Sequence, residues 1–283
     1  MDAKPLRDYT PKQTNSDTHE WSVAITGDVV QVSARFLIPP CRLPGIRRPC
    51  KEFSNASRRA MLKTVSRIDW NNVHSGLFVT LTFPDKTLPM DAYRRNQARY
   101  VFFRSIETHV QKNVSALWRV EWKARRSGAL VGQMCPHFHL IIFSVPFIPY
   151  KKINLWWKTA IAWTGTVSTD VQSLKDKRHH AVYIAKYAAK RPETNSLDSL
   201  SNLNIDGRHW GIHRRSLLPK HRTVVYDGLN DFQIEQLKQV GYDEFPTWYG
   251  EYAELGYTAF GLLGEKLKNR VREICLDVGD ASE

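Results

Sequence analysis

The stretch Pro136-His137-Phe138-His139-Leu140-Ile141-Ile142-Phe143 decides how this chain is read. Its apolar, β-prone composition predicts a strand over 137–143. Side chains two apart on a strand project from the same face. His137 and His139 therefore stand side by side, while Phe138 points into the opposite face. Neutral imidazole is the commonest metal ligand, so this strand carries half a divalent-metal site. Two unrelated surface or hydrogen-bonded histidines are the ordinary alternative.

Downstream, Tyr183-Ile184-Ala185-Lys186-Tyr187-Ala188-Ala189-Lys190 is rich in good helix formers and reads as a short helix. Tyr183 and Tyr187 lie one turn apart, on a face shared with Lys186 and Lys190. Val182, Ala185 and Ala189 form the small apolar stripe that packs inward. A tyrosine–lysine face makes a poor core surface. It suits two nucleophilic hydroxyls held beside phosphates.

Around these two segments the pattern alternates strand and helix. A hairpin is expected over 20–37 about Gly27-Asp28. A basic helix over 54–68 repeats Arg58, Arg59, Lys63 and Arg67 at helical spacing, either as a solvated face or as a DNA-backbone contact. A strand over 77–83 precedes a helix over 91–112, in which Phe103, Ile106 and Val110 mark the core stripe. A strand over 115–123 then leads to the histidine strand. A helix carrying Trp156, Trp157 and Trp163 is expected to end near Gly165, and Val167, Thr169 and Val171 alternate as a further strand. Residues 1–18 and the Pro- and Arg-rich connector 39–49 read as irregular. The whole predicts an α+β fold, a sheet covered by helices.

The net charge of +13 is unevenly placed. The first 226 residues hold 36 Lys and Arg against 16 Asp and Glu, whereas the remainder holds 5 against 12. A basic body of this kind is the electrostatic footprint of a nucleic-acid binder. The 32 aromatic residues supply both core and candidate stacking platforms for unpaired bases. Cys41, Cys50, Cys135 and Cys275 show no CxxC spacing, which argues against a zinc knuckle or a disulfide framework. No apolar run approaches the ~18 residues of a membrane span or resembles a signal peptide, so a reducing bacterial cytoplasm is the expected location.

The His-hydrophobic-His strand followed by Tyr-x-x-Lys-Tyr resembles the HUH endonucleases, and most closely the two-tyrosine rolling-circle initiators of single-stranded DNA phages and related plasmids. Leu77-Phe78-Val79-Thr80-Leu81-Thr82-Phe83-Pro84 is similar to the Thr-Leu-Thr strand that opens their catalytic domain. Arg119-Val120-Glu121-Trp122 sits where they carry a strand with a metal-binding carboxylate, and Trp210-Gly211-Ile212-His213-Arg214-Arg215 resembles a stretch after their tyrosine helix. The likeness covers roughly residues 54–220.

The resemblance implies an RRM-like antiparallel palm over 75–192, an N-terminal extension over 1–74, and a C-terminal extension with an acidic tail over 193–283. It implies a Mg²⁺ or Mn²⁺ ion held by His137, His139 and Glu121, with Tyr183, Tyr187 and Lys186 as catalytic residues. Arg58, Arg59, Lys190, Arg214 and Arg215 are the expected DNA contacts. The connection between Glu121 and His137 is longer than the short turn often seen in that family, so a one-residue slip would turn Glu121 to the other face. Implied partners are single-stranded origin DNA, a host helicase and a host polymerase, since no GxxxxGK[ST] loop is present to drive strand separation. The rival readings are a non-catalytic single-strand DNA or RNA-binding protein, and an HUH transposase or relaxase.

Overall fold

The computed structural model describes residues 19–36, 53–84, 92–125, 131–132, 134–174, 208–244, 256–260 and 263–277. The hairpin forms as expected, from β1 (His19–Thr26) and β2 (Val29–Phe36). Helix α1 (Asn55–Val65) follows, opened by Ser54, whose hydroxyl accepts a hydrogen bond from the Ser57 amide at 3.2 Å. Next come β3 (Gly76–Thr82), α2 (Ala92–Val110), β4 (Ala116–Ala124), β5 (Met134–Phe143), α3 (Tyr150–Ala160) and β6 (Thr169–Ser173). The later elements are β7 (Trp210–His213), β8 (Thr223–Asp227), α4 (Asp231–Glu244), β9 (Gly256–Phe260) and α5 (Glu265–Leu276).

The strands make two antiparallel sheets. One has the order β6-β3-β5-β4-β7 and the other β8-β1-β2-β9. The fold is thus α+β, with a five-stranded antiparallel sheet flanked by helices, compatible with an RRM-like palm. Its fifth strand, β7, comes from well beyond residue 192.

Sequence alternation sorts the five-stranded sheet into two faces. Leu77, Val79, Leu81, Phe138, Leu140 and Ile142 point to one side and bury against Phe102, Phe103 and Ile106 of α2 and Trp157 of α3. The Trp157 indole donates to the Thr82 carbonyl at 2.9 Å, so this aromatic core also fixes the end of β3. On the other side, Phe78, Leu117, Ile141 and Phe143 pack beneath Phe53, Met61 and Val65 of the α1 region. This second core covers only the half of the face nearest Phe143. The half that carries the histidines stays outside it.

Trp163 departs from expectation. The helix ends at Ala160, and Trp163 lies in the turn beyond it, where its indole donates to the Thr166 carbonyl at 3.1 Å. Gly165 permits this fold-back, because a Cβ there would come within 2.8 Å of the Trp163 ring.

The second sheet joins both ends of the chain, since β1 and β2 pair with β8 and β9. Its core face, Val23, Ile25, Val30 and Val32, packs on Ile234, Leu237 and Val240 of α4 and Val271 of α5. The acidic C-terminal region thus contributes packed structure, and Lys268 of α5 ties back to Asp28 at 2.8 Å. Gly27 occupies the left-handed region at φ +55°, and a Cβ there would strike the His221 ring at 2.5 Å and the Ser66 carbonyl oxygen at 2.9 Å. Only glycine satisfies both demands.

A buried ion pair locks α2 to β7. Glu107 accepts hydrogen bonds from the Val114 amide, from His213 at 3.1 Å and from both Nε and Nη2 of Arg214. Arg214 sits at φ +45°, a costly conformation for a non-glycine residue, and the fork on Glu107 holds it there. Burial alone would raise the Glu107 carboxyl, but the hydrogen bonds from Arg214 and His213 outweigh it and bring its pKa to about 2. A depressed carboxylate stabilises the fold above its ordinary pKa, and that contribution fades as pH falls from about 4.5 through about 2. Glu107→Gln should cost about 2–3 kcal/mol at neutral pH, below the usual loss for one partner of a buried pair because Arg214 stays partly solvated. Denaturant melts from pH 7 to pH 2 test this: the difference between the proteins should close on acidification, and a pH-independent difference contradicts the assignment.

Candidate active site

Three adjacent strands bring the predicted residues together. In the β3–β5 register Thr80 faces His139 and Thr82 faces His137, and in the β4–β5 register Arg119 faces His139 and Glu121 faces His137. Directly paired residues share a face of an antiparallel sheet. All six side chains therefore project from the side opposite the α2–α3 core. The long β4–β5 connection does not shift the register, and Glu121 lies on the histidine face.

The contacts are direct. Thr82 Oγ1 lies 2.9 Å from His137 Nδ1, and Thr80 Oγ1 lies 3.2 Å from His139 Nδ1. His139 Nε2 reaches Glu121 Oε2 at 2.8 Å, and Lys123 Nζ lies 3.0 Å from the same oxygen. The Phe78 ring stacks on His139 with centroids 6.1 Å apart. An ionised carboxylate only accepts, so His139 Nε2 carries a proton in this arrangement; in the neutral imidazole Nδ1 is then the acceptor and the Thr80 hydroxyl donates.

Electrostatics keep these groups in useful states. Burial pushes His137 down to about 4, helped by the neighbouring His139 and Lys123, so it is a neutral imidazole at physiological pH. Burial opposes the charge on Glu121, but hydrogen bonds from His139 and Lys123 prevail and bring its pKa to about 2. It is a carboxylate throughout the same range.

Two imidazoles and a carboxylate make a mixed nitrogen–oxygen donor set that fits a divalent cation. The threonines occupy the Nδ1 atoms and so fix the ring orientations, as outer partners of metal-binding histidines do. Among the described residues no three His, Cys, Asp or Glu side chains already converge as a metal cluster, and Glu121 and His139 meet each other directly.

The remaining predicted residues are distributed more widely. Tyr183, Lys186, Tyr187 and Lys190 lie outside the described residues. Arg58 is buried, donates to the Phe53 carbonyl at 3.3 Å and lies over the Phe53 ring, which Arg119 also approaches to 4.7 Å. Arg59 and Arg215 are exposed, and Arg214 forks onto Glu107. Thr80 and Thr82 are legible in the sequence only as a motif; their period of two, matching that of the histidines, is the signal that places hydroxyls beside imidazoles. Asp170 on edge strand β6 pairs with Thr80 and hence belongs to the same face, where it is exposed and accepts from Gln172.

Residues 76–192 match a family model of replication-associated proteins, the ORF2 type. The matched span starts with β3, contains the histidine face and runs past the Tyr183–Lys190 segment. It supports a replication initiator, with DNA as partner. No curated protein and no solved structure matches the chain. No helix among the described residues is long and apolar enough to cross a membrane.

Proposed function

We propose that this chain is an HUH-type replication initiator that nicks and rejoins single-stranded origin DNA through a 5′-phosphotyrosine. The observation that carries this reading is the His137–His139 pair, oriented by Thr80 and Thr82 beside Glu121, within the span matched to replication-associated proteins.

The attacking group is the hydroxyl of Tyr183 or Tyr187. A phenol with a reference pKa of about 10 is a weak nucleophile at neutral pH, and Lys186 on the same helical face lowers the cost of its phenolate. Attack forms the tyrosine O–P bond and breaks the P–O3′ bond. The phenolic proton leaves to solvent, and the departing 3′ oxygen takes one up. Neutral His137 and His139 and ionised Glu121 are the residues that would hold a Mg²⁺ or Mn²⁺ ion. When bound, such an ion supplies Lewis-acid polarisation of the scissile phosphate. Thr82 and Thr80 restrict imidazole rotation, so the site needs little reorganisation on binding. The free 3′-OH primes a host polymerase, a host helicase opens the duplex, and the second tyrosine cleaves the regenerated origin while the first still holds a 5′ end.

Incubating the protein with single-stranded oligonucleotides from its own replicon, with Mn²⁺, tests this. The expected result is an SDS-resistant protein–DNA adduct together with a cleaved strand that polymerase extends. Retarded but never covalently attached DNA would reduce the protein to a binding module.

A further inference from the structure

The cations of α1 are not equivalent once folded. Arg58 turns inward onto Phe53, whereas Arg59 is exposed. Lys63 and Arg67, one turn apart, converge on a neutral acceptor: Lys63 Nζ donates to Gln31 Oε1 at 2.9 Å, and Arg67 Nη2 to the same atom at 3.5 Å. Among the described residues no carboxylate pairs with Arg59, Lys63 or Arg67. Burial and the nearby Arg67 lower the Lys63 pKa, as expected where positive charges gather without a counter-ion.

Gln31 belongs to the face of the second sheet that turns away from α4 and α5, since its neighbours Val30 and Val32 fill the core on the other side. This second face is written in hydroxyls. Ser22 and Ser33 meet at 3.2 Å, and Thr26 and Thr223 at 2.8 Å. None of the side chains described on it is aromatic. Glu20 and Asp227 stand at its far end, so among the side chains described there positive charge gathers at the end near Gly27 and Arg67. That end is rigidly tied: the Asp28 amide donates to the Ser66 carbonyl at 3.0 Å, the His221 amide to the Arg67 carbonyl at 3.1 Å, and Ile68 bridges to Lys220. From Arg67 the chain runs through a single turn at Trp70–Asn72 into β3.

We propose that the groove between α1 and the hydroxyl face of the β8-β1-β2-β9 sheet is a docking surface for duplex DNA, gripped by its phosphate backbone through Arg59, Lys63 and Arg67. Cations, hydroxyls and amides are the groups that bind phosphate and sugar without reading bases. Single-strand sites add aromatic platforms on which bases stack, and the side chains described here offer none. The occupant is therefore double-stranded, its bases turned inward. Because α1 leads directly into β3, a duplex held here is delivered beside the histidine face. This surface is a binding function separate from strand cleavage, and it stands whether or not the nicking reaction does.

Fluorescence anisotropy on the full chain, with a short duplex and a single strand of the same sequence that lacks a cleavage site, tests it without catalysis. Lys63→Gln/Arg67→Gln should weaken duplex binding about ten-fold or more and reduce the log–log salt slope by about 2, at roughly 0.9 for each phosphate no longer neutralised. Single-strand affinity should hardly change. Arg59→Gln, on an exposed side chain whose loss leaves the fold intact, should weaken duplex binding by a smaller factor, and it keeps the test decisive if the double variant melts early. Wild-type duplex affinity and slope in all variants overturn the proposal. An equal loss on both DNA forms overturns it too, because the groove would then be a single-strand channel.

Discussion

Replacing either His137 or His139 with alanine should abolish nicking of single-stranded DNA while leaving salt-sensitive DNA binding close to wild type. Both imidazoles sit on the central strand of the sheet, each held at Nδ1 by a threonine of β3, so their Nε2 atoms are presented by a rigid support. Loss of one neutral nitrogen from a three-group donor set removes Lewis-acid stabilisation worth several kcal/mol in the transition state, on the order of a 10³-fold loss in rate. Binding depends instead on the basic surface, which neither substitution touches. The variants differ in risk to the fold. His139 stacks on Phe78 and contacts Glu121, whereas His137 is only half-buried and contacts Thr82. His137→Ala is therefore the cleaner probe, and its thermal melt should match that of the parent protein. Undiminished nicking by both variants, or full activity in EDTA, removes the metal assignment.

The parts of this site that can be read from sequence are those set by local period. Alternation in His137-Phe138-His139 and in Thr80-Leu81-Thr82 assigns each side chain to a face, because strand geometry leaves no other choice. What local period cannot give is the neighbour. Glu121 could face either side until β4 is paired with β5, and the ladder putting it opposite His137 spans nine residues on β4, from Ala116 to Ala124. The same blindness hides the role of Arg214, whose position after Gly211-Ile212-His213 looks like part of a DNA-facing basic cluster. Its partner Glu107 lies 107 residues away in sequence, on a helix whose acidic residue gives no sign of pairing. The second sheet is harder still. Its outer strands are five residues each and come from the far end of the chain, so only tertiary packing selects them as partners of the N-terminal hairpin. The basic helix is legible as basic but not as sorted: packing against Phe53 takes Arg58 inward and leaves Arg59, Lys63 and Arg67 outside.

The tyrosine pair yields the sharpest expectation. Tyr183 and Tyr187 are separated by one helical turn in the sequence pattern, so their hydroxyls are expected within about 6 Å of one another on the face that also carries Lys186. Phenylalanine removes the nucleophile and keeps the ring, so the fold should survive each substitution. One single variant should retain substantial first-strand cleavage, because the remaining hydroxyl can still approach the phosphate. Neither single variant should sustain repeated cleavage and joining, because strand transfer requires a free tyrosine while its partner is esterified to a 5′ end. Time courses on a substrate carrying two successive origins separate these steps: cleavage persists in one variant, and joined circles disappear in both. Tyr183→Phe/Tyr187→Phe should form no covalent adduct, a complete loss where the histidine variants lose rate. The roles of the two residues are distinguished by mapping the adduct peptide by mass spectrometry in each single variant, the DNA moving to whichever tyrosine is left. DNA attached to any residue other than Tyr183 or Tyr187 would show that another group is the nucleophile and that the helical pair serves only to pack or to bind.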